Sequence, residues 1–204
     1  MVRAVVWDIG NIFARWEPEA HYDRLIGRER RERLFAETAL HRMNEAIDLG
    51  TSSRDAAYAH AELHPDWSDE IRRWSDDWEE TFRTAVPGTA EVFREVKAAG
   101  MPCVSLSNFG PDTMERAKAL HPVLREFDRE FVSAHLGVAK PDPAIYEALE
   151  VGMGLSGAEL IFTDDKPENL AAAEARGWKT HLFTEADGWR ARLVAEGVLP
   201  GGGA

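Results

Sequence analysis

Short apolar runs bounded by turn formers alternate along this chain with longer segments whose apolar residues recur every three to four positions. The runs lie at residues 4–7, 102–106, 160–163 and 180–183. Each is rich in β-branched or aromatic side chains, the signature of strands buried in a sheet. The segments between them carry helix punctuation. Gly88 and Thr89 open a helix that closes at Ala98-Ala99-Gly100, and Gly177 closes another that begins near Pro167. Asp142 before Pro143 reads as an N-cap with a first-turn proline, and Ser156 with Glu159 has capping-box spacing. Strands alternating with helices of this length predict an α/β fold built on a mainly parallel sheet with right-handed crossovers.

Residues 16–83 break the alternation. No convincing strand occurs there, and the apolar positions keep helical spacing, as in Phe35, Ala36, Ala39 and Leu40, or Ile71, Trp74, Trp78 and Phe82. This predicts an all-helical cap inserted after the first strand, with its aromatic stripe buried as core. The remaining core would comprise residues 1–15 and 84–200. The tail Pro200-Gly201-Gly202-Gly203-Ala204 is expected to be a frayed end.

Composition narrows the function. Among 204 residues, 24 Lys and Arg stand against 36 Asp and Glu, a formal charge of −12. Phosphate-backbone affinity comes mainly from cationic side chains that release counterions, so nucleic acid is not an expected partner. The single Cys103 allows no internal disulfide and no multi-cysteine zinc site. No stretch reaches the roughly 18 apolar residues of a membrane span, and Asp8 interrupts the first apolar run as a signal-peptide core. A cytoplasmic protein without membrane attachment is the expectation.

Open parallel sheets bind ligands beyond the carboxyl ends of their strands, where loops from several crossovers meet. The first run ends in Asp8, the second in Ser107-Asn108 and the third in Asp164-Asp165, while Lys140 precedes Pro141 on a loop leading into a helix. Singly these are ordinary: a carboxylate after a strand caps a helix or a turn, and a lone lysine is a solvated charge. Two adjacent aspartates are unfavourable unless a cation or a proton lies between them.

Taken together, in this order and at these separations, they resemble the four motifs of the haloacid dehalogenase (HAD) superfamily, over a span from Val5 to Asn169. The resemblance implies a Rossmann-like three-layer core, with the helical insertion as a cap that closes over the site. It implies Asp8 as a nucleophile forming a covalent aspartyl intermediate, with Ser107 and Lys140 holding phosphoryl oxygens. It further implies Mg²⁺ held by Asp8, Asp165 and the Gly10 carbonyl, with Asp164 touching the ion or the groups that hold it. Asn108 and Asn169 would orient these groups or contact substrate. Such an ion would offset the repulsion between a carboxylate nucleophile and a phosphate monoester. From the cap, His41, Arg42 and Asn44 are candidate substrate contacts, and Trp16 a packing anchor where core meets insertion.

One position departs from most phosphatases of that superfamily, which carry a second aspartate two residues after the nucleophile as general acid and base. Gly10 stands there, and such assistance is typically worth about 10² to 10⁴ in rate. The string Asp8-Ile9-Gly10-Asn11-Ile12, with Trp16 after it, looks like a subgroup of bacterial sugar-phosphate phosphatases similar to α-D-glucose-1-phosphate phosphatase, in which glycine is normal. The expected substrate is therefore a small phosphorylated metabolite such as a sugar phosphate. The principal rival is a metal-independent 2-haloacid dehalogenase, which also lacks the second aspartate and would need a cap arginine, Arg42 being the candidate. The acidic pair argues against it, because two more carboxylates facing an anionic haloacid repel it unless a metal is present. A non-catalytic binding module of the same fold has only Gly10 in its favour.

Overall fold

A computed structural model describes residues 1–201; residues 202–204 of the glycine-rich tail lie outside the described part. Five strands, β1 (Ala4–Trp7), β2 (Cys103–Ser107), β3 (Arg129–Val132), β4 (Leu160–Asp164) and β5 (Lys179–Leu182), form one sheet in the order β3-β2-β1-β4-β5. Every pairing is parallel. Between β1 and β2 come α1 (Pro18–Ile26), α2 (Arg28–Thr38), α3 (Leu40–Asp48), α4 (Ser53–Leu63), α5 (Ser68–Asp76), α6 (Trp78–Thr81) and α7 (Thr89–Ala98). The crossovers that follow carry α8 (Pro111–Leu120), α9 (Ser133–Leu136), α10 (Pro143–Met153), α11 (Pro167–Glu174) and α12 (Ala186–Ala195). No helix among the described residues is long and apolar enough to cross a membrane.

Alternation along β1 explains the layers. Val5 and Trp7 point to one face and pack with Phe93 of α7 and Trp189 of α12. Ala4 and Val6 point to the other, against Ile145, Tyr146 and Leu149 of α10 and Ala173 of α11. With both faces covered, the central strands read as continuous apolar runs, and the fold is the Rossmann-like three-layer α/β arrangement. The predicted caps are present. Asp142 accepts from the Ala144 N–H at the start of α10, and Ser156 with Glu159 forms a capping box on a short 3₁₀ turn before β4.

The sequence reading finds four strands, and the structure has five. The missing one, β3, is an edge strand paired only with β2. Its Arg129 is exposed and Glu130 half-buried, so it lacks the apolar run that marks a two-sided strand, and charge on an edge is tolerated. The other edge, β5, begins one residue earlier than predicted and leaves the buried Phe183 just beyond it.

The chain leaves the sheet and returns along adjacent tracks. The Glu17 N–H donates to Thr81 O (2.9 Å), Arg15 N–H to Thr84 O (2.8 Å) and Val86 N–H to Phe13 O (2.9 Å). Beyond that crossing, Tyr22, Leu34, Leu40, Ile47, Ile71 and Trp74 form a separate apolar cluster. The predicted aromatic stripe is divided: Ile71 and Trp74 belong to this cluster, whereas Trp78 and Phe82 belong to the main core. Trp16 packs against both, with its ring 5.9 Å from Trp74 and 6.2 Å from Trp78.

Helices α4, α5 and α6 are tied to α8 by polar contacts. Arg116 donates to Glu79 Oε1 (2.6 Å) and to Ser75 O (2.8 Å), and the Ser53 N–H donates to Asp112 Oδ1 (2.9 Å). At Gly110, before α8, the fit is tight: a Cβ there would lie 2.5 Å from Ile47 Cγ2 and 3.2 Å from Ile47 O of α3. Gly110→Ala should therefore cost about 1–3 kcal/mol of stability through overpacking. Thermal melting measures it. Ile47→Ala on top should recover part of the loss, a coupling absent if the two side chains do not meet.

Candidate active site

Four segments of the core deliver the site. Asp8 follows β1, Ser107 ends β2, Lys140 sits on the loop before α10, and Asp164 ends β4 with Asp165 next to it. The parallel register lines up the strand ends, so side chains distant in sequence share one edge of the sheet. Ser107 Oγ donates to Asp8 Oδ1 at 2.6 Å, and Lys140 Nζ lies 2.9 Å from the same oxygen. The ammonium also donates to Asp164 Oδ2 at 2.6 Å. Asp8 Oδ2 accepts no hydrogen bond among the described residues, which leaves one oxygen of this cavity-lining carboxylate free.

Asp164 is fully engaged. Its oxygens accept from Lys140 Nζ, from Asn169 Nδ2 (3.0 Å to each) and from the Lys166 N–H (2.8 Å). Asn108 is spent similarly: its Nδ2 donates to Lys140 O (3.0 Å) and its Oδ1 accepts from the Lys140 N–H (2.8 Å). Asn108 and Asn169 thus orient the lysine and the buried aspartate, and both also line the cavity at the strand ends. A position that sequence reasoning gave no role is Asn11. It adopts a left-handed backbone (φ 58°), which asparagine tolerates better than most residues. In that conformation Nδ2 donates to Asp165 Oδ2 (2.9 Å) while Oδ1 accepts from the Trp16 N–H (3.0 Å).

Burial dominates the electrostatics. It pushes the Asp8 carboxyl up to about 6, against the opposing pull of Lys140 and with a further push from Asp164. Burial draws Lys140 downward, yet the carboxylates of Asp8 and Asp164 outweigh it and hold the ammonium above its ordinary value. Carboxylate oxygens of Asp8, Asp164 and Asp165 all lie within 4.8 Å of one another. Hard oxygen donors at this density suit a hard divalent cation such as Mg²⁺. Asp8 and Asp165 are the candidate ligands, because Asp164 is already saturated. Gly10 lines the same space, and a Cβ built on it meets nothing within 4 Å.

The strand ends open into a cavity of about 410 Å³, the size of a small-molecule site. Its far wall comes from the insertion. Trp16, Trp78 and Phe82 supply apolar surface, and His41, Asn44, Glu45 and Asp48 polar groups. Arg42 is a correction: it is exposed and does not line the cavity. Helical phase is the reason. Leu40, Met43 and Ile47 bury one face of α3, Asn44 and Asp48 share the cavity face, and Arg42 projects elsewhere. No arginine lines the cavity among the described residues. The sequence reading also passed over Asp48, whose signal was its spacing of four from Asn44.

The fold is thus of the α/β class, with strand-end carboxylates converging on one buried lysine and a helical insertion lining the same cavity. Residues 3–177 match the family of haloacid dehalogenase-like hydrolases, and the chain belongs to it. The chain is 36% identical over 86 residues to a sesquiterpene phosphatase of Aspergillus oryzae, covering 42% of this chain and 44% of that one. It is 28% identical over 97 residues to an (S)-2-haloacid dehalogenase of Burkholderia cepacia, covering 48% and 42%. These matches span less than half the length of either relative. Among solved structures, a HAD family enzyme of Bacteroides thetaiotaomicron superposes with a TM-score of 0.75 at 19% identity, over 94% of this chain and 98% of that one. The same enzyme in complex with magnesium and inorganic phosphate gives 0.69 at 20%, over 90% and 95%.

Proposed function

We propose that this hydrolase is a Mg²⁺-dependent phosphatase of small phosphorylated metabolites, acting through an aspartyl-phosphate on Asp8. One observation carries the reading: three carboxylates crowd around a single buried ammonium, with no arginine in the cavity wall. The other lysine of the cavity wall, Lys166, is exposed, so the carboxylates outnumber the buried positive charge, and an anionic substrate adds more negative charge. A divalent cation bound at Asp8 and Asp165 would offset that charge and polarise the phosphoryl group. The phosphatase relative from Aspergillus supports the same direction.

The chain's own groups then have defined tasks. Ser107 and Lys140 hold Asp8 Oδ1, so Oδ2 is the oxygen that forms the bond to phosphorus as the bond to the leaving oxygen breaks. Lys140 also supplies the fixed positive charge for the phosphoryl oxygens, and Asn108 fixes the lysine's backbone. Helices α3 and α6 and Trp16 exclude water from the far side. The wall mixes aromatic faces with His41, Asn44 and Glu45, which suits a ligand with both apolar and hydroxyl-bearing surface, such as a sugar phosphate.

A dehalogenase reading has a relative in its favour, but it would leave a haloacid carboxylate facing this acidic wall without a guanidinium. The test runs both assays on one preparation: phosphate release from sugar and prenyl phosphates with Mg²⁺ or chelator, and halide release from 2-chloropropionate. Mg²⁺-dependent phosphate release is expected. Metal-independent halide release without phosphatase activity would overturn the proposal, and binding without either activity would indicate a module that has lost turnover. Asp165→Asn should weaken the Mg²⁺ response by about 10- to 100-fold, the scale of losses at metal-supporting groups. An unchanged Mg²⁺ titration would remove Asp165 from the metal site.

A further inference from the structure

Expelling an alkoxide from phosphorus is slow unless a proton meets it, and Gly10 offers no side chain to supply one. We infer that Asp48, presented by α3 of the insertion, is the general acid that protonates the leaving oxygen and then the base that activates water. This inference rests on the phosphatase reading.

Direction is the first argument. Displacement at phosphorus runs in line, so the leaving oxygen departs on the side opposite Asp8, away from the strand ends and toward the wall built by the insertion. Asp48 is the half-buried acid of that wall. The other cavity-lining carboxylates are less suited: Glu45 and Glu168 are exposed, and Asp165 is held by Asn11. His41 is also exposed, and its Nε2 pairs with Glu19 Oε1 at 2.9 Å.

Asp48 is also held at both ends. Trp74 Nε1 donates to Asn44 Oδ1 (3.0 Å), which fixes the amide so that Nδ2 donates to Asp48 Oδ2 (3.2 Å). Ser133 Oγ, at the start of α9, donates to the Asp48 carbonyl (2.6 Å), pinning the end of α3 to the core. Oδ1 accepts no hydrogen bond among the described residues, and the residue lines the cavity, so this oxygen is free to carry a proton. The charged groups around it are Lys166 and Lys140, which draw its proton affinity down, and Asp8, which raises it. Burial exceeds them all and pushes the carboxyl up to about 7, the range in which one group serves as acid and then as base.

The step balances. Asp8 Oδ2 bonds to phosphorus while the bond from phosphorus to the leaving oxygen breaks, and that oxygen keeps the electron pair and takes the proton of Asp48. In the second half, Asp48 carboxylate takes a proton from water as the water oxygen bonds to phosphorus. The Asp8–phosphorus bond breaks with its electron pair returning to Asp8, phosphate leaves, and Asp48 is again protonated.

Asp48→Asn separates this role from a structural one by its dependence on the leaving group. With an alkyl phosphate, which needs the proton, the variant should lose about 10²- to 10⁴-fold from the first turnover. With p-nitrophenyl phosphate, which does not, it should release one equivalent of p-nitrophenol in a burst and then turn over slowly as aspartyl-phosphate accumulates. Asn44→Ala, which only frees the carboxyl, should show a smaller loss with the same preference for the poor leaving group, and it carries the test if Asp48→Asn does not fold. Equal losses on both substrates, or none, would remove Asp48 from the chemistry while leaving the phosphatase reading intact. No phosphate release by the wild type from either ester would sink both.

Discussion

Asp8→Asn is expected to reduce turnover by about 10⁴-fold or more, the scale seen when a nucleophile is removed, while making the metal-free protein more stable above neutral pH. The first part follows from the free Oδ2, which no neighbouring group can replace. The second follows from charge. Burial raises the Asp8 carboxyl from 3.8 to about 6, so its contribution to stability is fully present below the ordinary value and is lost as pH rises through about 6. The amide carries no such loss, and Lys140 still pairs with Asp164 in the variant. In chelator at pH 7.5 the variant should melt about 2–4 °C above wild type, the response of a domain of this size to about 1 kcal/mol. At pH 4.5 the two should nearly coincide. A variant less stable at both pH values would show that the bond from Ser107 matters more than the buried charge.

How much of this was legible in the sequence depends on what each feature needs. Strands β1, β2 and β4 are covered on both faces, so burial alone writes them as apolar runs, and the residues ending them are visible without a structure. That is why Asp8, Ser107, Asp164 and Asp165 could be read as one set before their contacts were known. The edge strand β3 was hidden because an edge admits Arg129 and Glu130. Residues whose role depends on tertiary placement were also hidden. Asn11 acts through a left-handed backbone, and Asp48 through the docking of α3 across the strand ends. Arg42 fails for the complementary reason: an arginine in a cap has the right chemistry, but helix phase decides what it faces. Trp78 and Phe82 continue the periodic stripe of Ile71 and Trp74, yet the break between α5 and α6 turns them into the main core. The stripe showed burial and could not show in which core.

The acidic excess takes on a local meaning at this site. A charge of −12 spread over a surface mainly governs solubility, but the carboxylates of Asp8, Asp164 and Asp165 are concentrated around one ammonium. Lys140 is the buried cation among them, with Lys166 exposed in the same cavity wall, and a further cation would meet a field that favours it.

Lys140→Met is the substitution expected to expose that dependence most strongly. The ammonium side chain is 2% exposed, between an Asp8 carboxylate that is 10% exposed and an Asp164 carboxylate that is fully enclosed. Methionine keeps an unbranched side chain of similar reach and removes the ammonium, which lies 5.4 Å from the centroid of the Phe162 ring, so the change isolates the charge. Removing one partner from a buried ionic cluster costs about 3–5 kcal/mol, and turnover should fall by about 10² to 10³ as a fixed charge on the reacting group is lost. Without the opposing pull of the lysine, burial and the neighbouring Asp164 push the Asp8 carboxyl further up. Its contribution is present in acid and lost as pH rises, so the deficit against wild type should be small near pH 4 and widen toward pH 8. Adding Mg²⁺ should recover more stability in the variant than in wild type, because a ligand that binds only the folded state stabilises it in proportion to its affinity, and carboxylates freed from the ammonium bind a cation more tightly. Melting curves across pH, with Mg²⁺ and with chelator, measure both effects. A deficit independent of pH and of Mg²⁺ would mean that Lys140 holds the loop by packing and that the three aspartates do not form one electrostatic unit.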